Sequence, residues 1–169
     1  MSRPSFQNII SRGLRTIDRV TEPGVVEAHC DIPCGIYDPH AMQIAALSVV
    51  RMNQLIEALA GDEGKTKANL SRYITVKEEH AEIVKKEVRI IWGDYFKAEH
   101  LEKYPDLNDF VWGMLKLAGK NKQEINLQAA QDLLAQTQKF AEIFWDTKGV
   151  KTKRAPSNQA VGGELVVPA

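Results

Sequence analysis

Apolar residues recur every three or four positions in four separate stretches of the chain, the spacing of a helix with one buried face. The first stretch begins with an N-cap residue and a proline suited to the first helical turn. The pattern therefore predicts four amphipathic helices. They lie at Asp38–Gly61, at about Leu70 to Phe96, from Pro105 to about Gly119, and at about Asn126 to Thr147.

Four amphipathic helices joined by short connections predict an all-α fold, an antiparallel four-helix bundle. No stretch alternates apolar and polar residues for long enough to predict a sheet. The charged residues of KEEHAEIVKKE in the second helix are expected on solvated faces. The residues from Ala155 to Ala169 lack a helical period and contain Pro and Gly, so they are expected to form a flexible tail.

Length and charge narrow the class of protein. The chain has 169 residues, enough for one bundle domain with a core. It carries 22 basic and 22 acidic residues, so no excess of positive charge points to nucleic acid. No run approaches the roughly 20 apolar residues of a membrane span, so we expect no membrane association.

Residues 1–28 differ from the rest and are expected to form a leader. Arginines alternate there with apolar residues at helical spacing, and Pro23 and Gly24 end the pattern. Polar residues interrupt every candidate apolar run, which argues against a secretory signal and leaves an organelle transit peptide as an alternative. Ala28 places a small residue directly before His29, where a protease would cut.

The densest chemistry follows the leader, in the segment H-C-D-I-P-C-G-I-Y-D-P at residues 29–39. Cys30 and Cys34 lack the second ligand pair of a structural zinc site, and a disulfide between them would close a very small loop. If His29 becomes the N-terminus, its α-amine, the Cys30 amide nitrogen and the two thiolates form an N₂S₂ plane, with the imidazole on one axial side. Such a plane favours Ni(II) or Cu(II) over zinc.

This segment resembles the nickel-binding hook of nickel-containing superoxide dismutases, His-Cys-x-x-Pro-Cys-x-x-Tyr. Three further stretches resemble the same family, W-x-D-Y-F at 92–96, E-K-Y-P at 102–105 and I-F-W-x-T-K at 143–148. The resemblance covers roughly His29 to Lys148. It implies a leader (1–28) and a hook (29–39) with a helical bundle up to residue 154. The expected tail at 155–169 is a departure from the family, because it is longer than the family needs.

The resemblance also implies an activity. Members of the family convert superoxide to dioxygen and hydrogen peroxide by ping-pong cycling of one nickel ion between Ni(III) and Ni(II), and they assemble as homohexamers. Carried over by position, His29, Cys30 and Cys34 bind nickel, and Asp31 and Tyr37 line the substrate approach. A peptidase that cuts between Ala28 and His29 is an implied partner. The reduced thiols favour a cytoplasmic location.

Two features leave room for other interpretations. Ala45 and His80 stand where family members often have Glu and Arg, which tether the axial imidazole; we hypothesise that His80 takes over part of that role. Tyr95 is interpreted as a core residue or as a contact behind the site.

The main alternative function is a nickel or copper carrier without turnover. A helical interaction protein with incidental cysteines is a third possibility.

Overall fold

Five α-helices follow one another in the part of the chain that the computed structural model describes, residues 35–60 and 64–169. Four of them are long, as the four apolar stripes predict. None of the helices within these residues is long and apolar enough to cross a bilayer. They are α1 (His40–Glu57), α2 (Gly64–Ile90), α3 (Ala98–Lys103), α4 (Leu107–Gln123) and α5 (Leu127–Thr147).

The four long helices pack as a bundle. Helix α1 contacts α2 and α5, and α4 contacts the same two helices, so the four enclose a common core. The predicted all-α bundle is therefore confirmed. Every long helix contributes side chains that are almost completely buried, among them Met42, Val84, Val88, Val111, Met114, Leu133, Phe140 and Phe144.

Two helix starts follow the signals in the sequence. The Asp38 carboxylate accepts a hydrogen bond from the backbone N–H of His40 at 2.7 Å. At the start of α5 the Asn126 side chain accepts one from the N–H of Ala129 at 2.9 Å. Both side chains satisfy N–H groups that have no partner inside the helix, so the predicted starts are correct within two residues.

The predicted second helix ends differently from the expectation. Helix α2 stops at Ile90, and the chain continues through a π-helical turn at Ile91–Tyr95. The N–H of Phe96 donates to the carbonyl of Ile91 at 3.3 Å, five residues back, and Phe96 itself is extended. The prediction of an uninterrupted helix to Phe96 is therefore wrong in its last turn. One-turn π-helices of this kind are frequent at functional sites.

The C-terminal residues form a hairpin, so the predictions of a sheet-free chain and of a flexible tail from Ala155 are wrong. Strands β1 (Thr152–Pro156) and β2 (Glu164–Pro168) pair antiparallel, with Arg154 opposite Val166. Five-residue strands bounded by Pro and Gly show too little alternation to predict from sequence. The hairpin nevertheless buries Leu165 and Val166.

A glutamine of the bundle anchors the hairpin. The Gln43 side chain lies in α1 with no exposed surface; its Oε1 accepts from the N–H of Val166 at 2.7 Å and its Nε2 donates to the carbonyl of Val166 at 3.0 Å. The amide thus pairs with the outer edge of β2 as a neighbouring strand would. Gly163 precedes β2 with φ +77°, and a Cβ there would lie 3.2 Å from Leu47 of α1.

One residue of the KEEHAEIVKKE run contradicts the expected solvated face. The Lys77 side chain is buried, with 1% of its surface exposed. Its ammonium donates to the backbone carbonyls of Asn121, Lys122 (3.2 Å) and Glu124 (2.8 Å). The last carbonyls of α4 lack donors inside the helix, and the Lys77 ammonium donates hydrogen bonds to them. Burial lowers the pKa of Lys77, an effect that the charge of Glu78 partly offsets.

Candidate metal centre

Of the residues predicted to form the site, Tyr37 lies within the described part of the chain. His29, Cys30, Asp31 and Cys34 lie outside the described residues, as does the predicted leader at 1–28. Tyr37 stands two residues after the start of the described chain and three before α1. The contacts of Tyr37 and of the residues around it therefore carry the structural argument.

Tyr37 packs against aromatic side chains at the border of the core. The residue is half-buried, and its ring centroid lies 5.8 Å from that of Tyr95, with a tilt of 55° between the ring planes. Tyr37 and Tyr95 both pack on the main hydrophobic core. A tilted arrangement at this distance is a favourable aromatic pairing. Packing on the core and on Tyr95 thus contributes to the position of Tyr37.

Tyr95 is the centre of an aromatic cluster, which we define as Tyr37, Tyr95, Phe96, His100 and Phe144. Its ring lies 5.2 Å from Phe96, 4.7 Å from Phe144 and 5.3 Å from His100, on which it stacks with only 16° between the planes. The π-helical turn ends at Tyr95 and so delivers this side chain to the cluster. Tyr95 packs on the core, as one of its two interpretations expects, and its ring also lies beside that of Tyr37.

A lysine lies over the rings of this cluster. The Lys148 ammonium is 5.4 Å from the ring centroid of Tyr95, 4.9 Å from that of Phe144 and 5.9 Å from that of Trp145. A cation within about 6 Å of aromatic faces is attracted by their negative potential. The aromatic cluster therefore holds a positive charge at its border. The resemblance to I-F-W-x-T-K covered this lysine but gave it no role.

His80 and Ala45 are both described. His80 is half-buried in α2, and its Nδ1 lies 2.8 Å from the carbonyl of Val76. A carbonyl oxygen only accepts, so Nδ1 carries the proton and donates, and Nε2 is the ring nitrogen left for another contact. Ala45 is buried in α1 among core residues and offers no polar group. The hypothesis that His80 orients the axial imidazole depends on Nε2 and stays a prediction.

A group of polar side chains that the sequence analysis missed links α3 to the last turn of α5. It consists of Lys103 at the end of α3, Tyr104 directly after it, and Asp146 in α5. The Tyr104 hydroxyl donates to the carboxylate of Asp146, and the Lys103 ammonium pairs with the same carboxylate. Burial, together with the hydrogen bond and charge of Asp146, raises the pKa of Tyr104 to about 12. The bonds from Lys103 and Tyr104 lower the pKa of Asp146. The stretch E-K-Y-P, already quoted for its resemblance, was the available signal.

Within residues 35–60 and 64–169, no three His, Cys, Asp or Glu side chains are grouped so that they could hold a metal ion. The bundle, as far as it is described, therefore offers no donor set that competes with the one predicted at residues 29–34. The helical bundle, together with the donor set that the sequence predicts, is the pattern expected of a helical-bundle metalloprotein.

Comparisons with known proteins specify this class. The model of the nickel-containing superoxide dismutase family matches residues 24–148. The superoxide dismutase [Ni] of Streptomyces coelicolor is 40% identical over 139 residues, which are 78% of this chain and 98% of the relative. That of Streptomyces seoulensis is 34% identical over 133 residues, again 78% and 98% of the two chains.

Solved structures agree. The native nickel superoxide dismutase structure superposes with a TM-score of 0.63 at 36% identity, covering 71% of this chain and 99% of that one. A structure of the apo enzyme gives a TM-score of 0.62 at 33% identity. The chain belongs to the nickel-containing superoxide dismutase family. It is thus a nickel-dependent oxidoreductase that acts on superoxide, and the resemblance to this family is confirmed.

Proposed function

We propose that removal of residues 1–28 creates the nickel site of this superoxide dismutase. The observation that carries the proposal is that the family match, residues 24–148, takes in the whole segment H-C-D-I-P-C-G-I-Y-D-P. His29 would supply its α-amine and imidazole, Cys30 its amide nitrogen and thiolate, and Cys34 a second thiolate.

The donor set fits nickel on chemical grounds. Two nitrogens and two thiolates would suit Ni(II), and the imidazole of His29 would add a further nitrogen donor. When bound, nickel supplies a one-electron couple between Ni(III) and Ni(II), which suits alternate oxidation and reduction of superoxide. Thiolates and an anionic amide donate strongly and so bring that couple into a usable range.

The other residues bind and orient the substrate. Tyr37 would hydrogen-bond superoxide or its water, and Asp31 would line the approach. The support for Tyr37 is its fixed position, because the aromatic cluster holds its ring 5.8 Å from that of Tyr95. A hydroxyl held in place by packing pays little ordering cost when it meets a small anion.

The leader would control maturation. While Ala28 is attached, the nitrogen of His29 is an amide and a poor metal donor. We therefore propose a peptidase that cuts between Ala28 and His29, with nickel binding after the cut. We also propose a homohexamer, as in the family, and a cytoplasmic location, where the thiols of Cys30 and Cys34 stay reduced.

The proposal is tested by two proteins that differ by one residue. One begins at His29 and the other at Ala28, each released from a fusion by a protease that leaves the native first residue. We expect the first to bind one nickel ion per chain and to consume superoxide. The second keeps every side chain of the site but lacks the free amine at His29, so we expect weak nickel binding and little activity.

Cysteine variants complete the test. In the protein that begins at His29, Cys30→Ser and Cys34→Ser each remove one thiolate and should abolish nickel-dependent turnover. Equal nickel binding and activity in the proteins beginning at Ala28 and His29 would contradict the role of the amine. Nickel uptake without superoxide consumption would favour a carrier instead.

A further inference from the structure

The hydrogen bonds around Tyr95 determine to which group its hydroxyl donates its proton. Its oxygen lies 2.9 Å from Oγ1 of Thr147, a distance at which either group is able to donate. Thr147 Oγ1 also lies 2.7 Å from the backbone carbonyl of Phe144. A carbonyl has no proton, so Thr147 donates there, and a threonine hydroxyl has only one proton to give. The Tyr95 hydroxyl is therefore the donor to Thr147.

The ring of Tyr95 is fixed as well. His100 stacks on it, and the His100 ring is held in turn by the backbone N–H of Lys97, which donates to Nδ1 at 3.1 Å. Phe96 and Phe144 pack on Tyr95 at tilted or perpendicular angles. With its ring packed in this way, Tyr95 directs its hydroxyl proton into the last turn of α5.

We propose that Thr147 is a positioning residue for the reaction, because it takes the hydroxyl proton of Tyr95. Tyr95 then presents only oxygen lone pairs to its other neighbours and accepts hydrogen bonds without donating them. Tyr37, whose ring is next to it, is the tyrosine proposed to donate to the anionic substrate. The two tyrosines thus have opposite roles, and Thr147 sets the difference. The part of this inference that concerns the reaction rests on the proposed function.

The direction of the hydrogen bond is tested on the full chain without nickel. Protein labelled with ¹³C at Cζ of tyrosine gives one signal for each of the four tyrosines, and the signal lost in Tyr95→Phe identifies Tyr95. Thr147→Val keeps the shape of the side chain and removes its hydroxyl, so the Tyr95 signal should move upfield as the donated bond is lost. Thr147→Ser restores the hydroxyl and should restore the signal.

A matched control comes from another threonine. Thr75 Oγ1 also donates to a backbone carbonyl of its own helix, that of Ser71 at 3.0 Å, and Thr75→Val should leave the Tyr95 signal in place. If Thr147→Val does not fold, Thr147→Ala replaces it in the comparison with Thr147→Ser. An unchanged Tyr95 signal in Thr147→Val or Thr147→Ala would overturn the assignment, and so would equal shifts for the variant without a hydroxyl and for Thr147→Ser.

The role in the reaction is tested on nickel-loaded protein that begins at His29. Thr147→Val should lower kcat/KM for superoxide about fivefold, the effect of one hydrogen bond of ordinary strength, and Thr147→Ser should restore it. An unchanged kcat/KM beside a shifted Tyr95 signal would overturn the role of Thr147 in the reaction. If the parent protein itself has no activity, the proposed function fails, whereas the result on the full chain still decides the hydrogen bond.

Discussion

Two groups of polar side chains in this protein differ in what they bond to. In the aromatic cluster and around it, side chains contact other side chains, as Tyr95 does with Thr147 and His100. Elsewhere a set of buried polar residues, which we call the backbone staples, bonds to main-chain atoms of another helix or strand. The backbone staples are Gln43, Asn53, Lys77, Asn121 and Gln138.

The difference teaches which residues hold the fold and which are available for chemistry. Each backbone staple satisfies main-chain groups that would otherwise be buried without partners, and leaving such a group unpaired costs about 1–3 kcal/mol. The aromatic cluster satisfies few main-chain groups, and Tyr37, Tyr95 and His100 stay partly exposed. We therefore expect substitutions of the staples to reduce stability, and substitutions in the cluster to act mainly on the site.

The largest effect is expected for Lys77→Met. Methionine keeps most of the apolar stem but leaves the three carbonyls at the end of α4 without their donor. We expect the free energy of unfolding to fall by about 3 kcal/mol, measured by urea denaturation. Lys86→Met, on the exposed surface of the same helix, is the control and should change it by less than about 0.5 kcal/mol. Equal losses in the two variants would remove Lys77 from the staples.

A smaller effect is expected for Gln43→Leu, which removes both hydrogen bonds to Val166. We expect a loss of about 2 kcal/mol and faster hydrogen exchange at the amides of β2, because the outer edge of that strand then has no partner. The control is Gln131→Leu at an exposed position of α5. Slow exchange in β2 of Gln43→Leu would show that apolar contacts alone hold the hairpin.

The long helices could be predicted because their apolar residues repeat with the helical period. The hairpin could not, since its anchor is Gln43, a polar residue outside the predicted apolar stripe of α1, and its partner Val166 lies 123 residues later. The expectation that Lys77 faces solvent was wrong for a related reason. A lysine in a run of charges indicates solvent, and only the packing of α2 on the end of α4 turns its ammonium toward buried carbonyls.

The candidate site likewise has one part that is local in sequence and one part that depends on packing. Residue type and spacing predict a donor set at His29, Cys30 and Cys34, because a metal hook is local in sequence, and the resemblance to the family adds Asp31 and Tyr37. These assignments stay predictions. The surroundings of Tyr37 are not local. Tyr95, His100 and Thr147 come from three separate segments, so their contacts depend on how the bundle packs.

The smallest effect is expected at Tyr104, whose hydroxyl bonds to the half-exposed carboxylate of Asp146. The pKa of Tyr104 is raised to about 12, against about 10 for an unfolded tyrosine. The folded state therefore holds this proton more tightly, and the stabilisation is complete below pH 10 and is lost as the pH rises toward 12.

Tyr104→Phe removes that stabilisation. We expect a loss of about 1 kcal/mol at neutral pH, because the bond reaches a charged but partly solvated acceptor. In an absorbance titration of tyrosine ionisation the variant should lack the step near pH 12. Tyr73→Phe is the control and should keep that step. If Tyr104→Phe keeps it too, that step does not belong to Tyr104, and its bond to Asp146 belongs with the weaker contacts of the protein surface.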